Sequence, residues 1–368
     1  MKLFCSQKDL EAALNIVNKA ISSNNTLPVL NNILVKAEGK KLYFSATNLE
    51  IAISYFVDAD VRSEGAITVP AKLITSYVSL LVDEKVELSI GDGMTLLIQS
   101  STSTTKIKGI SADEFPLIPK VDAEHSFNVS TSDFDAAIAE TAFAASTNIS
   151  RPVLSGVYFV VDGGEMKMVA TDSYRLAERK VMFDKKIDGS FNCLVPARTI
   201  SELGKITNRS EAKEVSISVS KNQVLFKVGN VELISRLIEG KFPDYERIIP
   251  KEGKTKVEVS VEDLSLVLKR VSLFAKENNN SIRLSATNDG KLLVSTDETK
   301  VGEEKAEVVI KMEGENNKIS LNSQYMLDVL TYITDEKIVL EMSDKLSPAV
   351  IKPIKRDDYI YIIMPLKV

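Results

Sequence analysis

The chain has 368 residues, of which 44% are hydrophobic and 26% charged, and this composition excludes a disordered or fibrous protein. The formal net charge of −5 at pH 7 excludes a strongly basic protein that holds nucleic acid by charge alone. No run of about 18 uncharged apolar residues occurs, and polar residues 7–9 interrupt the N-terminal apolar run too early for a signal peptide, so we expect no membrane partner and a cytoplasmic location.

Side chains that usually carry catalysis are scarce. A histidine-based triad, a metal site with several histidines or a histidine base would each depend on His125, the single histidine, which lies in the polar stretch "DAEHSFNVS". We interpret His125 as structurally incidental. Cys5 and Cys193 fit no metal or redox spacing and are expected to be buried, reduced thiols. We therefore predict no catalytic residue, no metal site and no cofactor.

The first predicted elements follow one another as a strand, a helix and a run of strands, and then again as a strand, a helix and strands. Apolar residues recur at helical spacing in "KDLEAALNIVNKAIS" and again in "VPAKLITSYVSLL". Between and after these helices come alternating or β-branched runs, "NILVKAE", "KLYFSAT" and "IAISYFVDA", then "KVELSIGDGMTLLIQS", separated by turn signals such as "EGKK" and "GDGM". This order predicts an α+β fold in which strands outnumber helices.

The next elements repeat the first ones. "LPVLNNILVKAEGKKLYFSATNLEIA" is echoed by "RPVLSGVYFVVDGGEMKMVATDSYRLA". Pro28 and Pro152 are 124 positions apart (152 − 28), and so are Thr47 and Thr171 (171 − 47). The echo therefore keeps register across a whole pair of strands, as expected for a duplicated domain.

A third copy completes the chain. "EDLSLVLKRVSLFAK" repeats the first helix, and Ile74, Ile200 and Met326 in the second helices are spaced by 126 positions each time (200 − 74, 326 − 200). Units of this length are too long for a solenoid repeat of about 20–45 residues. We expect three copies of one domain, each with two helices packed on antiparallel sheets, with boundaries at 1–123, 124–252 and 253–368.

The motifs "ATDSYRLA", "FPDY" with Arg247 downstream, and "MPL" near the C-terminus, in this order and spacing, make the chain resemble the bacterial DNA polymerase III beta subunits, the sliding clamps of DNA replication. The resemblance extends over essentially the whole chain. It implies a non-catalytic processivity factor, a head-to-tail homodimer whose six domains form a ring around double-stranded DNA irrespective of sequence. The acidic net charge is compatible with this function, because a strong grip on phosphates would impede sliding.

The resemblance also implies a hydrophobic groove between the second and third domains that binds short peptides. Its partners would be the DNA polymerase III catalytic subunit, the clamp-loader complex and other replication and repair proteins. Apolar walls with a flexible methionine suit such varied peptides. The matching residues are Leu154, Thr171, Ser173, Tyr174, Arg175, Leu176, Pro243, Arg247, Ile248, Leu346, Pro348, Ile362, Met364, Pro365 and Leu366.

Two further surfaces follow from the resemblance. The DNA-facing residues of the ring would be Asn24, Lys72, Asn148, Arg151, Arg198 and Lys276, and the dimer contact would involve Lys106, Ile107, Leu273, Phe274, Glu303 and Glu304. Lys72 and Arg198 occupy matching positions after "VPA". Asn24 stands near a position where many members of the family carry arginine, so we expect DNA contact that is weaker and less sensitive to salt.

Other interpretations exist for several of these residues. Without the resemblance, Leu154, Leu176 and Ile362 would be read as ordinary core, and any one of the charged residues as a solvated surface group. Two alternative functions remain at this point. A monomeric peptide-binding scaffold would use the same groove without DNA, and a hydrolase would need a cleft of converging ionisable groups.

Overall fold

The computed structural model describes residues 1–22, 27–82, 84–148, 150–183, 187 and 189–366. Within them, the predicted order of elements is confirmed in each of the three repeats. Each repeat opens with a strand that leads directly into a helix. In the first repeat the Ser6 hydroxyl caps that helix by accepting a hydrogen bond from the Asp9 amide, and Ser260 does the same for Asp263 in the third.

The elements of the first repeat are β1 (Lys2–Ser6), α1 (Gln7–Val17), β2 (Asn32–Glu38), β3 (Lys41–Thr47), β4 (Ile51–Asp58), β5 (Asp60–Ser63), β6 (Gly65–Pro70), α2 (Ala71–Val78), β7 (Lys85–Gly91), β8 (Thr95–Gln99) and β9 (Thr104–Lys108). Helix α1 buries Leu10, Leu14 and Val17, three of the four residues on the stripe that the periodicity predicts, whereas the fourth, Ile21, lies beyond the helix and is half-buried.

The elements of the second repeat are β10 (His125–Ser130), α3 (Thr131–Thr141), β11 (Gly156–Asp162), β12 (Glu165–Thr171), β13 (Arg175–Met182), β14 (Ser190–Pro196), α4 (Ala197–Thr207), β15 (Glu214–Val219), β16 (Gln223–Val228) and β17 (Val231–Arg236). His125 begins β10 and is half-buried.

The elements of the third repeat are β18 (Thr255–Ser260), α5 (Val261–Ala275), β19 (Ser281–Thr287), β20 (Lys291–Ser295), β21 (Lys305–Val309), β22 (Lys311–Gly314), β23 (Asn317–Asn322), α6 (Ser323–Tyr332), β24 (Lys337–Met342), β25 (Ala349–Pro353) and β26 (Tyr359–Ile363). Helix α5 buries Leu264, Leu268, Val271 and Ala275, again as the spacing predicted.

Packing divides the chain into two compact units. Unit one comprises residues 1–131 and 202–237, and unit two comprises residues 132–201 and 238–368. Each unit combines one terminal repeat with part of the middle repeat, because sheets continue from repeat to repeat. In unit one β17 pairs with β4, and in unit two β13 pairs with β26.

Unit one contains a five-stranded sheet, β5-β1-β7-β8-β9, and an eight-stranded sheet, β10-β15-β16-β17-β4-β3-β2-β6. Unit two contains a nine-stranded sheet, β14-β11-β12-β13-β26-β25-β24-β18-β22, and a four-stranded sheet, β21-β20-β19-β23. The ladders between these strands are antiparallel, which fits a core covered by helices on one face of each sheet.

A buried ionic network holds the second and third repeats together within unit two. The Arg179 Nε lies 2.9 Å from the Glu140 carboxylate, which also pairs with Arg356. Arg356 donates a second bond of 3.1 Å to Asp335, and the Tyr359 hydroxyl donates to the Glu140 carbonyl at 3.0 Å. Because each buried charge has a partner of opposite sign, the desolvation cost of burying it is offset.

Among the helices in the described part of the chain, none has the length and apolarity needed to cross a bilayer. The same residues contain no group of three or more His, Cys, Asp or Glu side chains arranged to hold a metal ion. Cys5 and Cys193 are both buried and unpaired as disulfides, as predicted.

Candidate functional site: a groove in unit two

The motif "ATDSYRLA" forms a tight turn between β12 and β13. The Thr171 hydroxyl donates to the Arg175 carbonyl at 2.6 Å and accepts from the Ser173 amide at 3.1 Å. The Asp172 carboxylate accepts from the Tyr174 and Arg175 amides at 2.9 and 3.0 Å. Ser173 is held at a φ of 80°, an uncommon conformation for a residue other than glycine. These bonds fix the turn.

One row of side chains crosses the sheet from the second repeat into the third. Thr171 on β12 is paired with Leu176 on β13, Leu176 with Ile362 on β26, and Ile362 with Val350 on β25. All four are at most 6% exposed. This row forms the floor of the groove, because side chains on neighbouring strands in register lie on one face of the sheet.

Aromatic rings extend this floor. Phe242 stacks on Tyr158 with ring centroids 4.7 Å apart and meets Tyr245 edge to face at 6.2 Å. Burial, followed by the hydrogen bond to Glu178, raises the pKa of the Tyr245 phenol, so that it remains a neutral donor. Phe242 and Tyr245 belong to the same buried cluster as Leu176 and Ile362.

The backbone conformation just before "FPDY" requires a glycine. Gly240 has a φ of +135°, and a Cβ there would lie 2.6 Å from Val153. Beyond the turn, Arg247 pairs with Asp244 at 2.6 Å, and the Arg247 side chain is 85% exposed. The Arg247 side chain is therefore accessible to solvent.

Large apolar side chains stand exposed around the floor. Tyr174 is 62% exposed, Leu346 64% and Ile248 41%. The loop before Leu346 is fixed by Asp344, whose carboxylate accepts from the Leu346 and Ser347 amides at 2.9 Å each. The hydrogen bond from the Leu346 amide, followed by one from the Ser347 hydroxyl, lowers the pKa of Asp344. The exposed walls offer apolar area to a partner.

The C-terminal segment lies along the same turn. The Met364 amide donates to the Tyr174 carbonyl at 2.8 Å, and the Leu366 amide donates to the Ser320 carbonyl at 2.9 Å. Met364, Pro365 and Leu366 are half-buried. This apolar segment is therefore bonded both to the second repeat and to the third.

Arg175 is a largely buried residue that supports the turn from below, and it is not an exposed arginine of the groove. Its side chain is 12% exposed and donates to Asp172 at 3.0 Å, to Asp328 at 2.5 Å and to the Phe143 carbonyl at 2.9 Å. The guanidinium also lies 4.6 Å from the Tyr325 ring centroid. Burial acts to lower the pKa of Arg175, but interactions with Tyr361, Asp328 and Asp172 outweigh it and raise that pKa. Its charge therefore holds the turn in place.

All fifteen predicted groove residues fall in unit two. Leu154 is 7% exposed, and its neighbour Val153 is the residue that packs against the floor cluster. Leu154, Leu176 and Ile362 are thus core residues, and the last two also form the floor. Sequence reasoning missed Tyr158, Tyr245, Asp328 and Tyr325; only Tyr245 had a signal, its place in "FPDY".

The predicted DNA-facing cations are exposed. Lys72 and Arg198 are each the second residue of a helix, α2 and α4. Arg151 and Lys276 are exposed as well, beside Pro152 and after α5. Exposed cations on helices are available to phosphates.

Of the two predicted asparagines, Asn148 lies among the described residues. Asn148 is exposed, and its side chain accepts a hydrogen bond from the Ser150 amide at 2.9 Å. Asn24 lies outside the described residues.

The predicted dimer residues lie on β9, on helix α5 and just before β21. Strand β9 ends the five-stranded sheet of unit one, and β21 ends the four-stranded sheet of unit two. Lys106 is exposed on β9, but Ile107 is 2% exposed and packs into the core of its own unit. The expectation that Ile107 supplies apolar surface to a partner is therefore corrected, since its side chain points inward.

Leu273 is accessible on the other surface, with 63% exposure, whereas Phe274 is half-buried. Glu303 pairs with Lys305 at 2.9 Å, and Glu304 lies 3.9 Å from Arg270. These exposed pairs are weak, so the glutamates could exchange partners at modest cost.

Comparison with known families extends over nearly the whole chain. Three family models match in succession: the N-terminal domain of the DNA polymerase III beta subunit at residues 1–119, its central domain at 128–244 and its C-terminal domain at 246–367. The chain belongs to the DNA polymerase III beta subunit family. Its members are the sliding clamps of DNA replication, and this chain has the same non-catalytic function.

Individual relatives agree with that assignment. The beta sliding clamp of Staphylococcus epidermidis is 34% identical over 364 residues, 96% of each chain. The sliding clamp structure from Bacillus subtilis matches with a TM-score of 0.95 at 30% identity, covering 100% of this chain and 99% of that one. The Pseudomonas aeruginosa sliding clamp bound to griselimycin matches with a TM-score of 0.95 at 28% identity over 100% of both chains. The predicted fold class is confirmed, and the hydrolase alternative is wrong.

Proposed function

We propose that this sliding clamp closes as a head-to-tail homodimer around double-stranded DNA and holds its protein partners by short peptides in the groove of unit two. The observation that carries the proposal is the buried row from Thr171 to Val350, flanked by the exposed side chains of Tyr174, Ile248 and Leu346. An apolar floor with exposed apolar walls suits the anchor side chains of a linear peptide.

The proposed partners are the DNA polymerase III catalytic subunit, the clamp-loader complex and other replication and repair proteins. Their peptides would place apolar anchors over Leu176 and Ile362, and an acidic neighbour could approach Arg247. Met364 provides a flexible wall that accepts anchors of different shape. A cytoplasmic location is part of the proposal, as expected for a replication protein.

The proposed DNA contacts are made by Lys72, Arg151, Arg198 and Lys276, together with Asn24 and Asn148. Exposure of the four cations supports this assignment. Few charges contact the backbone, so binding depends mainly on enclosure of the DNA and permits sliding.

The proposed dimer joins β9 of one copy to β21 of another. Both strands end a sheet, and an exposed edge favours pairing with another strand. Lys106 on the first surface and Glu303 and Glu304 on the second have complementary charges, and Leu273 supplies apolar area. We also propose repeat boundaries at 1–123, 124–252 and 253–368, near the limits of the three family matches.

Retention on circular DNA tests the enclosure. The chain is loaded onto a nicked circular plasmid by the clamp loader of the same organism and then separated by gel filtration. We expect it to remain with the circle and to be lost when the plasmid is cut once. Equal retention on linear DNA would contradict enclosure and indicate ordinary binding.

Primer extension by the organism's polymerase III tests the groove. The variant Leu346→Glu should fail to lengthen the products, because a carboxylate replaces an apolar wall that the peptides of both the clamp loader and the polymerase would contact. Leu80→Glu, at a leucine that is 80% exposed in unit one, is the matched control and should behave as wild type. Normal product length with Leu346→Glu would remove the groove from the proposal.

A further inference from the structure

Unit one contains a cavity of about 210 Å³ built from the same parts of the repeat as the groove of unit two. Three segments line it: residues 47–52, residues 116–119, and side chains from β16 and β17 that include Ile234 and Arg236. Their counterparts by repeat offset are Thr171 for Thr47 (171 − 47 = 124) and Pro243 for Pro116 (243 − 116 = 127).

The register of the sheets gives the same correspondence. Ala52 pairs with Ile234 between β4 and β17, and Leu176 pairs with Ile362 between β13 and β26. Ile234 and Ile362 are 128 positions apart (362 − 234). The cavity floor in unit one is therefore the structural counterpart of the groove floor in unit two.

The backbone of the turn is also reproduced. The Thr47 hydroxyl donates to the Ile51 carbonyl at 2.9 Å, and the Asn48 side chain accepts from the Glu50 and Ile51 amides at 3.0 and 2.9 Å. The Arg236 amide donates to the Glu50 carbonyl at 3.0 Å, as the Met364 amide does to Tyr174. The two sites thus share the bonds that shape the rim.

The rim of the unit-one cavity is more apolar than that of the groove at two positions. Leu49 stands where unit two has Ser173, is 47% exposed and has a φ of 74°, which is rare for a bulky residue. Leu117 stands where unit two has Asp244 and is 96% exposed. A strained leucine and a fully exposed leucine beside one cavity indicate a surface that gains from being covered.

We propose that this cavity is a second peptide-binding site, which accepts one leucine-sized or phenylalanine-sized anchor from a linear segment of a partner protein, with Leu49 and Leu117 closing over it. The inference rests on the proposed peptide groove of unit two. The cavity is below the roughly 300–1,000 Å³ typical of small-molecule pockets and is large enough for one anchor side chain. In the floor of the cavity, the smaller Ala52 stands where unit two has Leu176, and this difference makes room for that anchor.

Methyl NMR of the full-length protein tests the site, with N-acetyl-leucyl-phenylalaninamide as the probe. Methyl signals of Leu49, Ile118 and Ile234 report on the cavity, and those of Ile248 and Ile362 report on the groove. We expect both sets to shift to saturation. In Leu346→Glu the cavity signals should still shift. In Leu117→Glu the dissociation constant at the cavity should rise by about fivefold or more, while Leu80→Glu, the exposed-leucine control, leaves it unchanged.

The outcomes separate this inference from the function on which it rests. Shifts in the groove alone, with the cavity signals unmoved up to the solubility limit of the probe, would overturn the second site only. No shift in either set would overturn both peptide sites. A dissociation constant at the cavity that is unchanged in Leu117→Glu, or cavity shifts that arise on concentrating the protein without probe, would reject a partner peptide and indicate non-specific binding or contact between copies.

Discussion

Arg175 and Asp328 lie 153 positions apart in the chain (328 − 175), yet the Arg175 Nη1 is 2.5 Å from the Asp328 carboxylate. The pair ties the peptide turn of the second repeat to helix α6 of the third. Because the groove floor also spans these repeats, the geometry of the groove depends on this bond.

We predict that Arg175→Ala lowers the free energy of unfolding by about 3 kcal/mol, because it leaves Asp328 and Asp172 without their shared partner. Urea denaturation followed by circular dichroism measures the change. Arg247→Ala is the matched control, since that arginine is 85% exposed and its pair with Asp244 should contribute less than about 1 kcal/mol. An equal loss of unfolding free energy in both variants would show that Arg175 does not support the structure in this way.

A charge at Leu273 should weaken the dimer. Wild type is expected to have a mass of 81 kDa by light scattering, twice the 40.5 kDa of one chain, and Leu273→Glu should move it toward 40.5 kDa on dilution because the carboxylate enters an apolar contact. Leu80→Glu should leave the mass unchanged. A wild-type mass of 40.5 kDa at tens of micromolar would instead favour the monomeric scaffold.

Replacing either of the two matched helix cations, Lys72 or Arg198, should make DNA binding less dependent on salt. For each of Lys72→Glu and Arg198→Glu, we expect the slope of log affinity against log salt to become shallower by about 0.9, the value for one phosphate contact. Fluorescence anisotropy with a labelled duplex measures the slope. Lys120→Glu, at another exposed lysine, is the control, and an unchanged slope in both test variants would mean that these cations face solvent.

The thiols should be inert in the folded protein. Burial raises the pKa of Cys5 and of Cys193 to about 12, so the thiolate is nearly absent at pH 8. Ellman's reagent should label neither thiol at that pH until denaturant is added. Because the unfolded thiols ionise near pH 9 and the folded ones do not, their ionisation also destabilises the fold as the pH rises from about 9 to 12. Rapid labelling without denaturant would contradict this burial.

Much of the fold could be predicted from the sequence. The stripe of Leu10, Leu14 and Val17 defines α1, and the constant offset between Thr47 and Thr171 defines the repeat, because both patterns are local and periodic. The motif around Asp172 also carries its own hydrogen bonds within four residues, so its turn could be predicted without knowledge of the rest of the chain.

The exposure of site residues could not be predicted in the same way. Ile107 and Leu273 are both large aliphatic residues, but the side chain of the first is 2% exposed and that of the second 63%. The difference arises from which face of β9 or α5 packs inward, and that depends on contacts with distant segments. The role of Arg175 likewise depends on Asp328 and Tyr325, which periodicity cannot place beside it.

The sequence by itself determined the three repeats, their two helices each and the family, since these follow from short-range patterns and from motifs in order. Tertiary structure decided how the repeats join. Sheets that continue from β4 to β17 and from β13 to β26 place side chains from distant parts of the chain in one row, and that pairing creates both the groove of unit two and the cavity of unit one. Strand pairing over such separations is fixed by packing of the whole unit, which no local pattern encodes.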